Sequence, residues 1–206
     1  MPDNFIQNLT QRLQQPLPGW EAQLRMAHTT RRLYVEAPAD ARQAGVLAAL
    51  FQKNEAWQVV FIVRNQTGGD HHGGQIGFPG GKYEPKDASM QDTALREAEE
   101  EVGIRRQDVT VLGKLTELYI PVSNFQVHPF VGFLANEPSF ILQEDEVSAV
   151  LTVPLAHFQK EDAVKTTNIR IGKHLVLQNV PYFDTGGKVL WGATAMMLNE
   201  LLHLVR

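Results

Sequence analysis

The chain has 206 residues, 43% of them hydrophobic and 20% charged, with a formal net charge of −4 and no cysteine. That balance suits one substantial globular core, and it supplies no field that would favour nucleic acid or an anionic membrane surface. The lack of cysteine excludes disulfides, thiolate metal sites and a thiol nucleophile.

The opening residues carry no basic start followed by an apolar run, so a signal peptide is not expected. Nor does any stretch reach the about 18 apolar residues of a membrane span. Cytoplasm is the expected location. Phe5, Ile6, Leu9 and Leu13 recur at helical spacing, predicting a helix over 4–15 that Pro16 and Pro18 stop. Residues 19–43 show no clear period. Arg31, Arg32, Tyr34 and Arg42 there can meet a phosphate or a base, or lie on a solvated surface. Residues 45–52 and 57–64 are two apolar runs, read as a hairpin with a four-residue link. The division expected is an N-terminal helix and extension over 1–43 and a catalytic domain over 44–206.

Residues 65–81 form a long, glycine-rich loop containing His71 and His72. Loops of this length within a compact domain are usually functional or disordered. Neither a P-loop nor a dinucleotide fingerprint fits the glycine spacing. The glycines instead permit close backbone approach to a metal or phosphate, and the two histidines suit surface or substrate contact. A helix is predicted over 88–102, with Asp87 as N-cap, Leu95, Ala98 and Val102 as its buried stripe, and Gly103 as C-cap. Strands follow at 109–119, 126–135 and 146–153, then a hairpin of 168–177 with 180–184, and a closing helix over 192–205 whose apolar face includes Met196, Met197, Leu198, Leu201, Leu202 and Val205.

The chemistry concentrates in the middle helix. Glu97 and Glu101 are one turn apart, and with Glu100 they span an arc of roughly 100° at 3.6 residues per turn. Like charges this close repel, and they sit near a helix C-terminus, which disfavours negative charge. A solvated acidic face is the plain reading. The glycine loop beside it favours a cation, and oxygen ligands suit Mg²⁺ or Mn²⁺.

Gly74-Gln75-Ile76-Gly77-Phe78-Pro79-Gly80-Gly81, followed by Arg96-Glu97-Ala98-Glu99-Glu100-Glu101-Val102-Gly103-Ile104, resembles a Nudix box, the family pattern G-x5-E-x7-R-E-U-x-E-E-x-G-U with U aliphatic. Counted from Gly81, the acidic position falls on Asp87, and one extra residue then precedes Arg96. That spacing, with Glu84 and Thr93-Ala94-Leu95, resembles the coenzyme A pyrophosphatase-like branch. Blocks at 121–132, 146–155 and 190–197 resemble the same branch.

The resemblance implies an α/β fold, the Nudix-type α/β/α sandwich with a mixed sheet. It also implies metal-dependent hydrolysis of a nucleoside diphosphate derivative, with Mg²⁺ or Mn²⁺ held by Glu97, Glu100, Glu101 and the carbonyl of Gly81 or Gly80. Arg96 is expected to hold a glutamate through a bidentate pair, and Asp87 and Glu84 to order the loop. Arg64, Gln75, Phe78, Gly80, Gly81 and Lys82 are the expected substrate contacts. The general base stays open, with Glu144, Asp145 and Glu146 as candidates from another loop. The branch implies coenzyme A or an acyl derivative, cleaved to a phosphopantetheine and adenosine 3′,5′-bisphosphate. The chain departs from the branch at Asn65, where a small residue is usual, and at Gly69-Asp70, where a second arginine belongs. ADP-ribose or an NADH-type dinucleotide is the alternative substrate, and a non-catalytic nucleotide sensor the alternative class. The small molecule is the expected partner; nucleic acid and membrane are not, and a homodimer is compatible with the sequence.

Overall fold

The computed structural model describes residues 2–29, 34–65, 74–171 and 175–206. The readings placed on Arg31, Arg32, Gly69, Asp70, His71 and His72 lie outside the described residues.

Two helices lead the chain, α1 (Pro2–Leu13) and a short α2 (Gly19–Leu24) in the stretch that showed no period. The apolar runs extend into β1 (Arg42–Lys53) and β2 (Ala56–Arg64), longer than the sequence indicated. Their link is two residues rather than four. Asn54 and Glu55 both take positive φ, 49° and 64°, the geometry whose twist matches paired antiparallel strands. Two short strands follow, β3 (Ile76–Gly77) and β4 (Gly80–Lys82), then helix α3 (Met90–Val102).

The strand expected at 109–119 is divided into β5 (Val109–Lys114) and β6 (Leu118–Ile120), which pair with different parts of β7 (Phe125–Leu134). β8 (Val147–Pro154) runs beside β2, and a single-turn helix α4 (Leu155–Phe158) follows. A separate three-stranded sheet holds β9 (Val164–Ile171), β10 (Leu175–Asp184) and β11 (Val189–Trp191). The late hairpin therefore starts earlier than expected. Gln178-Asn179, which resembled its turn, lies where the β9–β10 register shifts, with Asn179 at φ 55°; asparagine tolerates that conformation, so a bulge mimicked a turn. Helix α5 (Gly192–Leu204) closes the chain.

The main sheet is mixed. β1 and β7 pair in parallel from Arg42↔Phe125 to Phe51↔Leu134, while the other ladders are antiparallel. Alternation along β1 sorts its side chains between two buried layers. Ala44, Ala48 and Leu50 pack with Leu9, Leu13, Met197, Leu201 and Leu202. Leu47, Ala49 and Phe51 pack with Ala94, Ala98 and Val102 of α3. Burial on both faces explains why 45–52 reads as an apolar run rather than an alternation. On α3 the stripe is Ala94, Ala98 and Val102, with Leu95 half-buried. Small residues belong there because the helix lies so close: a Cβ on Gly45 would stand 2.4 Å from the Met90 carbonyl oxygen.

The N-terminal helices share this core. Glu200 of α5, fully buried, accepts hydrogen bonds from the Gly19 amide at 3.1 Å, Gln23 Nε2 at 2.8 Å and Thr116 Oγ1 at 2.6 Å. One carboxylate thereby ties α2 to the segment between β5 and β6. Replacing it with leucine strands these donors inside the protein, at about 1–3 kcal/mol for each group left unsatisfied. Glu200→Leu should therefore lower the unfolding free energy by roughly 3 kcal/mol or more, seen as a lower urea midpoint.

Candidate active site

The site lies where β4 passes the last two turns of α3. β4 is held on β1 by the pairs Val46↔Gly80, Gly45↔Gly81 and Ala44↔Lys82, and the Leu47 amide donates to the Pro79 carbonyl at 2.8 Å. This brings two glycines against two carboxylates. The Gly80 amide donates to Glu101 Oε2 at 2.8 Å. A Cβ on Gly81 would stand 2.6 Å from the Glu97 carboxyl carbon, so any larger residue would push that carboxylate from its present place.

α3 begins later than the sequence suggested. Ser89 is the N-cap, its Oγ accepting from the Asp92 amide at 3.1 Å. Asp87 is buried and otherwise engaged. It takes Arg96 Nε on Oδ1 at 2.7 Å and Arg96 Nη2 on Oδ2 at 3.0 Å, and Oδ2 also accepts from Thr93 Oγ1 and the Glu84 amide. The bidentate partner of Arg96 is thus Asp87, not a glutamate. Charge is the reason: Arg96 is 2% exposed, and a buried guanidinium needs a buried counter-ion. Its hydrogen bonds hold the Asp87 carboxyl far below the usual carboxylate range. The remaining nitrogen, Nη1, donates to Glu97 Oε1 and Glu100 Oε2, each at 2.8 Å, and Nη2 also reaches the Lys82 carbonyl at 3.0 Å. Gly103 caps the far end at φ 73°, as expected.

The three glutamates sit in different surroundings. Glu100 is exposed, with Lys86 Nζ 3.8 Å from its Oε1. Burial raises the Glu97 carboxyl above its ordinary value, opposed by Arg96. Glu101 is 2% exposed, and desolvation pushes it up to about 8 despite the Gly80 amide and the charge of Arg64, whose Nη1 is 3.8 Å from Oε1. Glu146 also acts on Glu97 and Glu101, raising both. It ends a turn roped to α3: the Gln143 amide donates to the Glu101 carbonyl, and the Glu146 amide to the Gln143 carbonyl.

Of the expected substrate contacts, Arg64, Gly80 and Gly81 stand beside the glutamates. Gln75 is half-buried, and its carbonyl accepts from the Arg64 amide at 3.0 Å. Lys82 is exposed at the end of β4. Phe78 is placed differently. It is 4% exposed and stacks on Phe61 at 5.1 Å, so its ring is spent on the core rather than offered to a ligand. Arg42 lies over the Phe125 ring at 4.1 Å, and Tyr34 beside Trp20, in neither case a contact with the glutamates.

Among the described residues no three His, Asp or Glu side chains stand close enough together to hold a cation as placed. Arg96 Nη1 bridges Glu97 and Glu100, and Glu101 is turned to the Gly80 amide. The donor set nonetheless suits a hard divalent ion, because it offers oxygen alone and includes a desolvated carboxylate that a nearby positive charge would stabilise.

In metal-free protein, folded Glu101 keeps its proton up to about 8, against an ordinary value of 4.5. The folded state therefore binds more protons across that interval, and its stability falls as pH rises through it. Asp87 acts oppositely: its contribution is present above 3.8 and is lost as pH falls further. Urea unfolding in chelator across this range should show the decline on the alkaline side, on the order of a few kcal/mol, and Glu101→Gln should remove it.

Residues 41–174 match the NUDIX domain family. The Nudix hydrolase NudL of Yersinia enterocolitica is 32% identical over 195 residues, covering 94% of this chain and 88% of that protein. NudL of Pectobacterium atrosepticum is 41% identical over 163 residues, covering 78% of this chain and 81% of that one. A MutT/nudix family protein from Enterococcus faecalis aligns in structure with a TM-score of 0.49 at 14% identity, over 90% of this chain and 70% of that chain, a likeness too slight to add to the sequence relatives. The family match spans more than half of the chain and the relatives more than three quarters of it: the chain belongs to the Nudix hydrolases, which generally use divalent metals such as Mg²⁺ or Mn²⁺.

Proposed function

We propose that this chain hydrolyses the diphosphate of coenzyme A or an acyl-coenzyme A, giving a phosphopantetheine and adenosine 3′,5′-bisphosphate. The observation that carries diphosphate hydrolysis is the carboxylate set at the β4 glycines, with Glu97 and Glu100 held by Arg96 and Glu101 by the Gly80 amide. What favours coenzyme A is the branch-like spacing of Asp87 and Arg96, with the blocks at 121–132, 146–155 and 190–197.

In this reading Glu97, Glu100, Glu101 and the Gly81 carbonyl hold Mg²⁺ or Mn²⁺. The bound ion neutralises diphosphate charge and lowers the pKa of a coordinated water. Arg64 and Lys82 hold phosphate oxygens, and Gln75 lines the approach. Arg96 positions Glu97 and Glu100 from behind. Glu144, Asp145 and Glu146 are the candidates for general base, and Glu146 is the one whose charge is named among those raising Glu97 and Glu101.

The sequence departures at Asn65 and at Gly69-Asp70, where an aspartate replaces an expected arginine, favour a second reading within the same chemistry, hydrolysis of ADP-ribose or an NADH-type dinucleotide. A nucleotide sensor without turnover is disfavoured by the complete carboxylate set. A diphosphate panel with Mg²⁺ and Mn²⁺, with products identified by mass, separates these readings. Cleavage of coenzyme A to the two named products is expected. Intact coenzyme A with cleaved ADP-ribose moves the assignment to the second reading, and no metal-dependent turnover on any diphosphate moves it to the sensor. Loss of a metal ligand removes several kcal/mol of charge stabilisation, so Glu101→Gln should lower kcat by at least about a hundredfold.

A further inference from the structure

We propose that Lys86 is a phosphate-binding residue, released from Glu100 when a divalent cation takes that carboxylate and free from then on to hold an oxygen of the diphosphate. The inference rests on the metal-site reading above and adds to it a residue that the Nudix box leaves unspecified.

The placement of Lys86 follows from the buried arginine. Asp87, the next residue, is clamped to Arg96 Nε at 2.7 Å and to Nη2 at 3.0 Å. The same aspartate closes the turn before it. Its amide donates to the Glu84 carbonyl at 2.9 Å, and its Oδ2 accepts from the Glu84 amide at 3.0 Å. The backbone around Lys86 is thereby fixed against α3. Arg96 also holds Glu100 Oε2 through Nη1 at 2.8 Å. One guanidinium thus sets both the backbone of the lysine and the carboxylate that its side chain meets. Lys86 Nζ lies 3.0 Å from Glu84 Oε2 and 3.8 Å from Glu100 Oε1.

These three side chains are exposed, and exposed ion pairs contribute little to stability. What distinguishes Lys86 is its position. Both oxygens of Glu100 face a cation, Arg96 on Oε2 and Lys86 on Oε1. Arg96 is enclosed and committed to Asp87, whereas Lys86 sits on a flexible stem and is the one of the two that can turn away. A divalent ion at Glu100 becomes the largest local charge and repels Nζ. The ammonium then needs an anion within reach of the same carboxylate, and a diphosphate drawn to the ion supplies one. Lysine binds phosphate as a point charge with rotatable donors, so no fixed bidentate geometry is required. Glu84, the nearer partner, is no metal ligand in this reading and keeps Nζ at the site.

The test uses two ligands with opposite expectations. Mn²⁺ binding by the free protein is followed through the electron paramagnetic resonance of unbound Mn²⁺. Binding of methylenediphosphonate, a diphosphate mimic that resists hydrolysis, is followed by calorimetry at saturating Mg²⁺. Lys86→Met should tighten Mn²⁺ binding about two- to fivefold, the scale of an exposed charge interaction, because a competing cation is gone. The same variant should weaken diphosphonate binding by at least about that factor, because the lost ammonium was its partner. Lys86→Arg keeps the charge and should leave both affinities close to wild type. A purely structural role would move the two affinities together or not at all. Unchanged affinity for either ligand in Lys86→Met, or shifts in the same direction, would overturn the assignment to Lys86 while leaving the metal site standing. So would wild-type protein that binds Mn²⁺ but no diphosphonate. Wild-type protein that binds no Mn²⁺ would overturn the metal reading itself, and this inference with it.

Discussion

The site depends on one buried cation. Arg96 is almost wholly enclosed, and a guanidinium in that position must be neutralised and have its donors satisfied. Asp87 neutralises it, and the same carboxylate also holds Thr93 and the Glu84 amide. The Lys82 carbonyl takes a further donor. The segment from β4 to the start of α3 is therefore folded around the arginine, and the helix and glycine strand behave as one unit. What Arg96 has left, the single nitrogen Nη1, sets the positions of Glu97 and Glu100. The extra residue between Asp87 and Arg96 does no harm because Asp87 lies outside the helix, two residues before the Ser89 cap. In a continuous helix, one added residue would rotate a side chain by about 100°.

Around this unit the electrostatics are held in opposition. Asp87 is stabilised as an anion, whereas Glu101 is buried with too little positive charge nearby to offset its desolvation. Two carboxylates on neighbouring elements are driven in opposite directions by their surroundings, a pattern associated with functional sites. The glycines make the arrangement possible sterically. Gly45 admits α3 to the sheet, and Gly81 admits Glu97 to the strand edge.

Much of this was legible in the sequence. The apolar runs, the carboxylate spacing on α3, the Gly103 cap and the closing helix all follow from local pattern. The failures have a shared cause, in that partners distant in sequence decide them. Asp87 has the right chemistry for an N-cap, but Arg96 claims it. Phe78 lies in the glycine loop yet stacks on Phe61 across the sheet. Residues 109–119 read as one strand because nothing local signals that Thr116 turns toward Glu200. Glu200 itself sits in an apolar helix, where an unexpected acid was the available signal. In the sequence Asn65 is only a departure from a related pattern; its grip on the Glu144 carbonyl depends on the β2–β8 register.

In the proposed reading, Glu97, Glu100 and Glu101 exchange their present partners for a divalent cation at the β4 glycines. Anomalous diffraction from crystals soaked in Mn²⁺ should show a peak bonded to these carboxylate oxygens and to the Gly81 carbonyl, with Arg96 still joined to Asp87. A peak elsewhere, or none with Arg96 still bridging Glu97 and Glu100, would overturn that reading.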